Sequence, residues 1–391
     1  MISVDEATQR IVSGFTPRAV ESVAIADAAG RVLAEDVTAK SDQPPSPVSS
    51  MDGYAVRASD ARSLRVIGAS PAGKPFAGTV SAGEAVRIFT GGVVPDGADA
   101  VVIQEDTEAN GDTVLIKETP KPGQNIRRAG LDFARGDVLA RAGQRLTPRD
   151  LSLLAAGDVA QVGVRKKPVI AFVATGDELS KPGEARKPGG IVASSGYGLA
   201  AMIRDWGGAP RDLGILPDSA EAIAAIPQLA RGADLIVTLG GASVGDHDLV
   251  QKALGPKGFV LDFWKIAMRP GKPLIFGKLG ETPLLGLPGN PVSTLVCAIL
   301  FLKPAIAAML GAETKSDIRS ARLAHDLPAN DGRQDYLRAR LDIRDGEVWA
   351  DPFSIQDSSM LGILAAADAL VIRAVRAPAA IIGERVDILP L

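Results

Sequence analysis

KPVIAFVATGDEL, residues 167–179, is the stretch that decides the fold. The run from Val169 to Ala174 is continuously apolar and ends in the polar sequence Thr175-Gly176-Asp177-Glu178, the signature of a strand buried on both faces that empties into a loop. The same pattern returns in ADLIVTLGGAS (233–243), PLIFGKL (273–279) and TPLLGLPGN (282–290). GYGLAAMIRDWGG (196–208) and SAEAIAAIPQLARG (219–232) have helical periodicity, the first stopped by glycines. PVSTLVCAILFLKPAIAAML (291–310) has proline at its start, where the missing N–H costs nothing. Buried strands alternating with helices make a doubly wound α/β domain with a largely parallel sheet, placed at 167–313. Its ligands belong beyond the carboxyl ends of the strands.

Working outward, residues 46–141 lose all helical signal. SLRVIGAS, EAVRIF, DAVVIQED and TVLIKE alternate between Gly and Pro turns, which reads as a small all-β domain. Before it, residues 1–40 read as a helix, with Ile11 and Phe15 on its apolar face, followed by extended segments; SDQPPSPVSS (41–50) resists both helix and strand. After it, LTPRDLSLLAAGDV (146–159) reads as a helix capped by Thr147, with Pro148 first and Asp150 third. The β domain is therefore expected as an insertion into a helix/strand linking domain made of 1–45 plus 142–166. Short strands in 314–391 suggest a small, barrel-like C-terminal β domain. The fold class expected is multidomain α/β plus β.

Composition narrows the chemistry. Of 391 residues, 46% are hydrophobic and 23% charged, with a net charge of −3, so no overall basic field favours nucleic acid or an anionic membrane. One cysteine, Cys297, precludes an intramolecular disulfide, and two histidines, His247 and His325, leave little for a zinc site. A metal would be held by oxygen, which points to Mg²⁺. The N-terminus is not a signal peptide, and 292–310, interrupted by Ser293, Thr294, Lys303 and Pro304, reads as a buried helix rather than a membrane span. A cytoplasmic location is expected.

Four loops of the α/β domain carry chemistry. Asp177 and Glu178 follow a strand end, although a helix cap by Asp177 explains that spacing equally well. Gly240-Gly241-Ala242-Ser243 lets backbone N–H groups approach a phosphate, with Asp246 and Asp248 nearby to hold Mg²⁺ or orient water. Lys265, Arg269 and Lys272 lie within eight residues, with Pro270 and Pro273 fixing the backbone; they form either a solvated basic loop or an anion site. Pro288-Gly289-Asn290-Pro291 opens a helix, whose first N–H groups attract anions, though a tight turn also accounts for Pro291. In the β domain, Asp52 and Asp132 stand beside glycines, where a turn role is the plainer explanation.

Taken together, SSMDGYAV, GADAVV followed by Gln104-Glu105, RRAGLDFARGD, ATGDEL, GGASVGDHD, FWKIAMRPGKP and GLPGNPVS, in that order between Ser49 and Ser293, resemble the molybdopterin molybdenumtransferase family, whose eukaryotic relative is the carboxy-terminal part of gephyrin. The resemblance covers nearly the whole chain. It implies an elongated four-domain homodimer with a molybdopterin-binding-like α/β domain. In the family that domain faces the inserted β domain of the other subunit across the active-site cleft. The substrates implied are molybdopterin adenylate and molybdate, with release of AMP and a requirement for Mg²⁺. Handover from a molybdopterin adenylyltransferase and onward to molybdoenzyme maturation factors is implied as well.

Residue by residue, the resemblance carries Asp52, Thr90, Arg127 and Asp132 over from the β domain. It carries Glu178, Asp218 and Asp248 over as catalytic and metal-binding carboxylates. Gly240, Gly241, Ser243, Lys265, Arg269, Lys272, Pro288 and Pro291 fall on the substrate side, together with Ser358, whose surroundings match the family less well. Arg269 stands where many relatives carry lysine, so a planar fork replaces a point charge. Two other functions compete. An adenylyltransferase would share the α/β loops but lack the inserted β domain, and would consume ATP. A gephyrin-like scaffold would need no carboxylates at strand ends.

Overall fold

The computed structural model describes residues 1–60, 62–240, 252–312 and 317–391. Two compact units emerge, one of Ser22–Val164 and one of Met1–Glu21 with Arg165–Leu391.

In the first unit, six strands form one sheet: β1 (Gly53–Val56), β2 (Ser63–Ser70), β3 (Glu84–Ile88), β4 (Ala100–Ile103), β5 (Thr107–Asn110) and β6 (Thr113–Ile116). Their order is β4-β1-β3-β2-β6-β5, antiparallel except for β2 and β3. Alternation fills both faces. Tyr54, Val56, Ala100 and Val102 pack on one side, and Ala55, Val86, Ile88 and Val101 on the other. Each fully buried aliphatic side chain contributes about 1.5–3 kcal/mol. A separate cluster unites the two flanks of the sheet in sequence. Ala28 and Leu33 pack with Ala140, Leu146, Leu154, Val162 and Val164. The helix Pro148–Ala156 begins with a full capping box, in which Thr147 accepts from Asp150 N and the Asp150 carboxylate accepts from Thr147 N.

In the second unit, the sheet contains β7 (Val169–Thr175), β8 (Ala209–Leu216), β9 (Leu235–Leu239), β10 (Phe259–Trp264), β11 (Ile275–Leu279) and β12 (Thr282–Leu287), ordered β8-β7-β9-β12-β11-β10. The first four in that order are parallel; β11 pairs antiparallel with β12, and β10 pairs antiparallel with β11. The chain leaves β7 to form β8 on one side and then β9 on the other, so β7 and β9 flank the switch point where such sheets take ligands. The helix Ser195–Asp205 follows the loop after β7. The segment 219–232 forms two short helices, Ala220–Ala224 and Ile226–Leu229, divided before Pro227. The helical stretch Pro291–Leu310 is long and apolar enough to cross a membrane, yet 67% of its apolar window is buried within the fold, as suits a core helix. Thr294 spends its hydroxyl on Pro288 O at 2.5 Å and Asn290 O at 3.1 Å, which reconciles it with that core.

The C-terminal strands β13 (Arg319–Leu323), β14 (Gln334–Arg344), β15 (Glu347–Pro352), β16 (Ala369–Arg373) and β17 (Arg385–Pro390) run β14-β15-β13-β17-β16 and close by a β14–β16 pairing, a small barrel. Met268 and Arg269 add a parallel pair to β14 at Gln334 and Asp335, joining the basic loop to the barrel.

Candidate functional site

At the switch point three strand ends converge. Gly240, just past β9, has φ +94°; a Cβ there would lie 3.1 Å from Thr175 O and 3.3 Å from its Oγ1. Its N–H donates to Leu287 O at 3.1 Å. The Thr175 side chain is buried, and its Oγ1 has no hydrogen-bond partner among the described residues, an unspent group at the place where the fold binds ligands. Glu178 is exposed, its carboxylate folded over Gly176. It borders a cavity of about 540 Å³ that also takes in Lys181, Glu184, Lys187 and Gly214. No helix follows Asp177, so it caps none; Lys187 Nζ donates to its carbonyl at 3.3 Å. Asp218 is exposed before the short helix at Ala220. Gly241, Ser243 and Asp248 lie outside the described residues. Among the described residues no three acidic, histidine or cysteine side chains gather as a metal site.

The basic loop divides its three cations. Lys265 has φ +73°, a left-handed conformation that costs a side-chain-bearing residue about 1–2 kcal/mol. Its Nζ lies 3.7 Å from the Trp264 ring centroid. Arg269 gives its planar fork to Asp335, with Nε donating to Oδ1 at 3.0 Å and Nη2 to Oδ2, while Asp331 lies 3.8 Å from Nη1. Asp335 is buried, and its hydrogen bonding raises the pKa of Arg269. Lys272 is exposed. Gly271, at φ +111°, rests on the helix after Pro291 so closely that a Cβ would meet Cys297 Sγ at 2.3 Å.

Pro288 is buried and Pro291 half-buried at the helix start, and the C-terminal domain reaches them through Ser358. Asn290 Nδ2 donates to Ser358 Oγ at 2.9 Å, and Val292 N donates to Ser358 O at 3.1 Å. Behind this contact stands Arg338, which pattern reading passed over. It is 1% exposed, donates through Nη2 to Asp357 O at 3.1 Å, and has Nε without a partner among the described residues. Gln356 bridges Arg338 N and Arg338 O. Burial lowers the pKa of the guanidinium against the opposing pull of Asp357. Arg338 lies on the outward side of β14, since Leu337, Ala339 and Leu341 fill the barrel. In sequence it therefore looks like a solvated charge, and only the tertiary contact buries it.

In the first unit, Asp52 precedes β1. Gly53 is required there because a Cβ would fall 1.9 Å from Val102 O on β4. Thr90 follows β3 and clamps the acid: Thr90 N and Thr90 Oγ1 both donate to Asp52 Oδ1, at 2.7 and 2.8 Å. These bonds, with a smaller contribution from the Arg87 charge, hold the Asp52 carboxyl below its usual range. Asp132 is exposed in a loop anchored by Asp132 N on Gln43 O, and Arg127 is exposed on a two-residue strand paired with Val48.

Comparison with known proteins agrees along the whole chain. Residues 2–157 match the MoeA N-terminal region (domain I and II), 171–308 a probable molybdopterin binding domain, and 320–391 the MoeA C-terminal region (domain IV). The chain is 36% identical to a molybdopterin molybdenumtransferase of Haemophilus influenzae, over 100% of its own length and 98% of that protein's. It is 35% identical to the enzyme of that name from Bacillus subtilis, over 95% and 90%. A crystal structure of a molybdopterin biosynthesis MoeA protein from Pyrococcus horikoshii superposes with TM-score 0.85 at 31% identity, covering 100% of this chain and 99% of that one.

Proposed function

The chain belongs to the molybdopterin molybdenumtransferase family, and from that membership and the site geometry we propose that it inserts molybdenum from molybdate into molybdopterin adenylate and releases AMP. The observation that supports the reading is the switch point, where Thr175 Oγ1, buried without a hydrogen-bond partner among the described residues, lies against the close-approach Gly240, while Glu178, three residues on, lines an open cavity with Lys181 and Lys187. In the reaction molybdenum takes the two dithiolene sulfurs, whose thiol protons leave with one molybdate oxygen as water, and a second water cleaves the phosphoanhydride to AMP and a pterin phosphate.

The protein needs no nucleophile of its own. Its groups orient the reactants, and positioning of this kind supplies much of a barrier reduction. Asp52, held ionised, is a poor proton acceptor near neutral pH and suits the orienting of a water or a substrate N–H. Glu178 presents its carboxylate to the open cavity beside Lys181 and Lys187. Lys265 and Lys272 supply positive charge toward the oxyanion, with Arg338 buried behind Ser358. Arg269 is engaged with Asp335 and acts through the loop it ties down. The oxygen donors Glu178, Asp218 and Asp248 suit Mg²⁺, which would offset phosphoanhydride charge when bound. We extend the reading to a cytoplasmic homodimer that receives its substrate from an adenylyltransferase. The test is AMP release from purified molybdopterin adenylate with Mg²⁺, with and without molybdate. Release that depends on molybdate is expected. AMP transfer from ATP to free molybdopterin, or neither activity, would overturn the assignment.

A further inference from the structure

The strand pair that delivers Asp52 also delivers an arginine for which the reaction has so far had no use. Arg87 on β3 is the direct antiparallel partner of Tyr54 on β1. Its guanidinium carbon lies 5.0 Å from the Tyr54 ring centroid and 5.1 Å from that of Phe89, a cation–π contact with each ring. Its Nη1 donates to Gly53 O at 3.2 Å and Nη2 donates to Gln104 Oε1 at 2.7 Å. Gln104 N in turn donates to Asp52 O at 3.0 Å, and Gln104 Nε2 donates to Glu105 Oε1 at 3.4 Å, which turns the amide oxygen toward Arg87.

The carbonyls of Asp52 and of Gly53 are thus held by one connected network, while Thr90 holds Asp52 Oδ1 from β3. Both Thr90 bonds fall on Oδ1, so Oδ2 is the oxygen left to face a ligand. A lysine at 87 would bring the charge without the planar fork that reaches both Gly53 O and Gln104 Oε1.

We propose that Arg87 is a positioning residue for molybdenum insertion, fixing the backbone at Asp52 and Gly53 so that the second carboxylate oxygen of Asp52 is aimed at the substrate. The proposal rests on Asp52 acting in the reaction. The charged groups on the elements packed around Asp52 are Arg87 and Glu84 from β3, the latter paired with Arg65, the acids Glu105 and Asp106 of the turn Gln104–Asp106, and Arg127 on the two-residue strand paired with Val48 and Ser49. Of these, Arg87 contributes to holding the carboxyl ionised.

The test uses the full chain with ¹³C-labelled aspartate and three variants, Arg87→Gln, Arg87→Lys and Gln104→Leu, with cooperative unfolding checked for each. Arg87→Gln is expected to lower kcat for molybdate-dependent AMP release by about 10- to 100-fold at nearly unchanged KM, as loss of orientation does. The Asp52 carboxyl titration should move to higher pH in the same variant. Arg87→Lys should restore the titration and only part of kcat. Gln104→Leu, which keeps the charge and loosens the fork, should fall between wild type and Arg87→Gln, and it serves in place of Arg87→Gln if that variant does not fold. Wild-type kcat and an unmoved Asp52 titration in Arg87→Gln would overturn the proposal. If the wild-type chain releases no AMP, the functional reading fails by itself. The titration then decides whether Arg87 governs Asp52: an upward move upholds that coupling and no move overturns it.

Discussion

Asp52 sits at the end of a strand whose neighbours bring backbone and side chains to it in register; Ser358 sits on an irregular loop where one backbone bond, from Val292 N, is joined by a set of side-chain bonds. At Asp52 the pairing of Gly53 with Ile88 and Ile103 sets the distances, and the Thr90 clamp follows from where β3 ends. At Ser358 the geometry depends on Asn290, Gln356, Asp357 and Arg338, each contributing one or two bonds. Order supplied by a sheet is shared among many hydrogen bonds. Order supplied by a chain of side chains is lost one residue at a time.

That contrast can be broken or sharpened by substitution. Asp52→Asn keeps an oxygen to accept from Thr90 while removing the charge. It should lower AMP release by about 100-fold or more with the unfolding transition unchanged; loss of both together would make Asp52 a structural group. Because the Asp52 carboxyl is held below its usual range, it stays ionised as pH falls through that range, and an acid limb of kcat due to Asp52 should lie below the normal carboxylate region. Next in size, Arg338→Ala removes a fully buried side chain and its bond to Asp357 O, and should cost about 2–4 kcal/mol by urea denaturation together with most of the activity. Unchanged stability would show that the Ser358 loop is held by other means.

Gly53→Ala tests the sheet-built corner at its one vulnerable point. The Cβ, 1.9 Å from Val102 O, must push two strands apart at a cost of about 1–3 kcal/mol, read from the same denaturation curves. The smallest effect is expected at a helix cap. Thr147→Ala removes the cap of the helix Pro148–Ala156 and should cost about 1 kcal/mol with no change in kcat.

The same contrast explains what the sequence discloses. Buried strands such as Val169–Thr175 and Leu235–Leu239 announce themselves because both faces are covered. The edge strands Ala209–Leu216 and Phe259–Trp264 do not. The first carries Pro210 and Gly214 with only intermediate burial and an exposed Asp212, and the second carries exposed Asp262 and runs straight into the basic loop. Asp52 was nameable beside its glycine, but its pairing with Thr90, 38 residues away, needed the register of β1 and β3. Arg269 reads as a free cation until β14 brings Asp335 against it, and Arg338 reads as solvated until the loop of residues 356–358 closes over it. In each case the missing information is a long-range contact that no local spacing encodes.

The decisive question is whether molybdenum insertion and AMP release are one event. The measurement is a single turnover of the full chain loaded with molybdopterin adenylate, in which AMP released and molybdenum bound to the pterin dithiolene are quantified together as molybdate is added. Equal amounts of the two are expected, with neither accumulating in the absence of molybdate. AMP release at full rate without molybdate, or release that leaves no molybdenum on the dithiolene, would contradict that expectation.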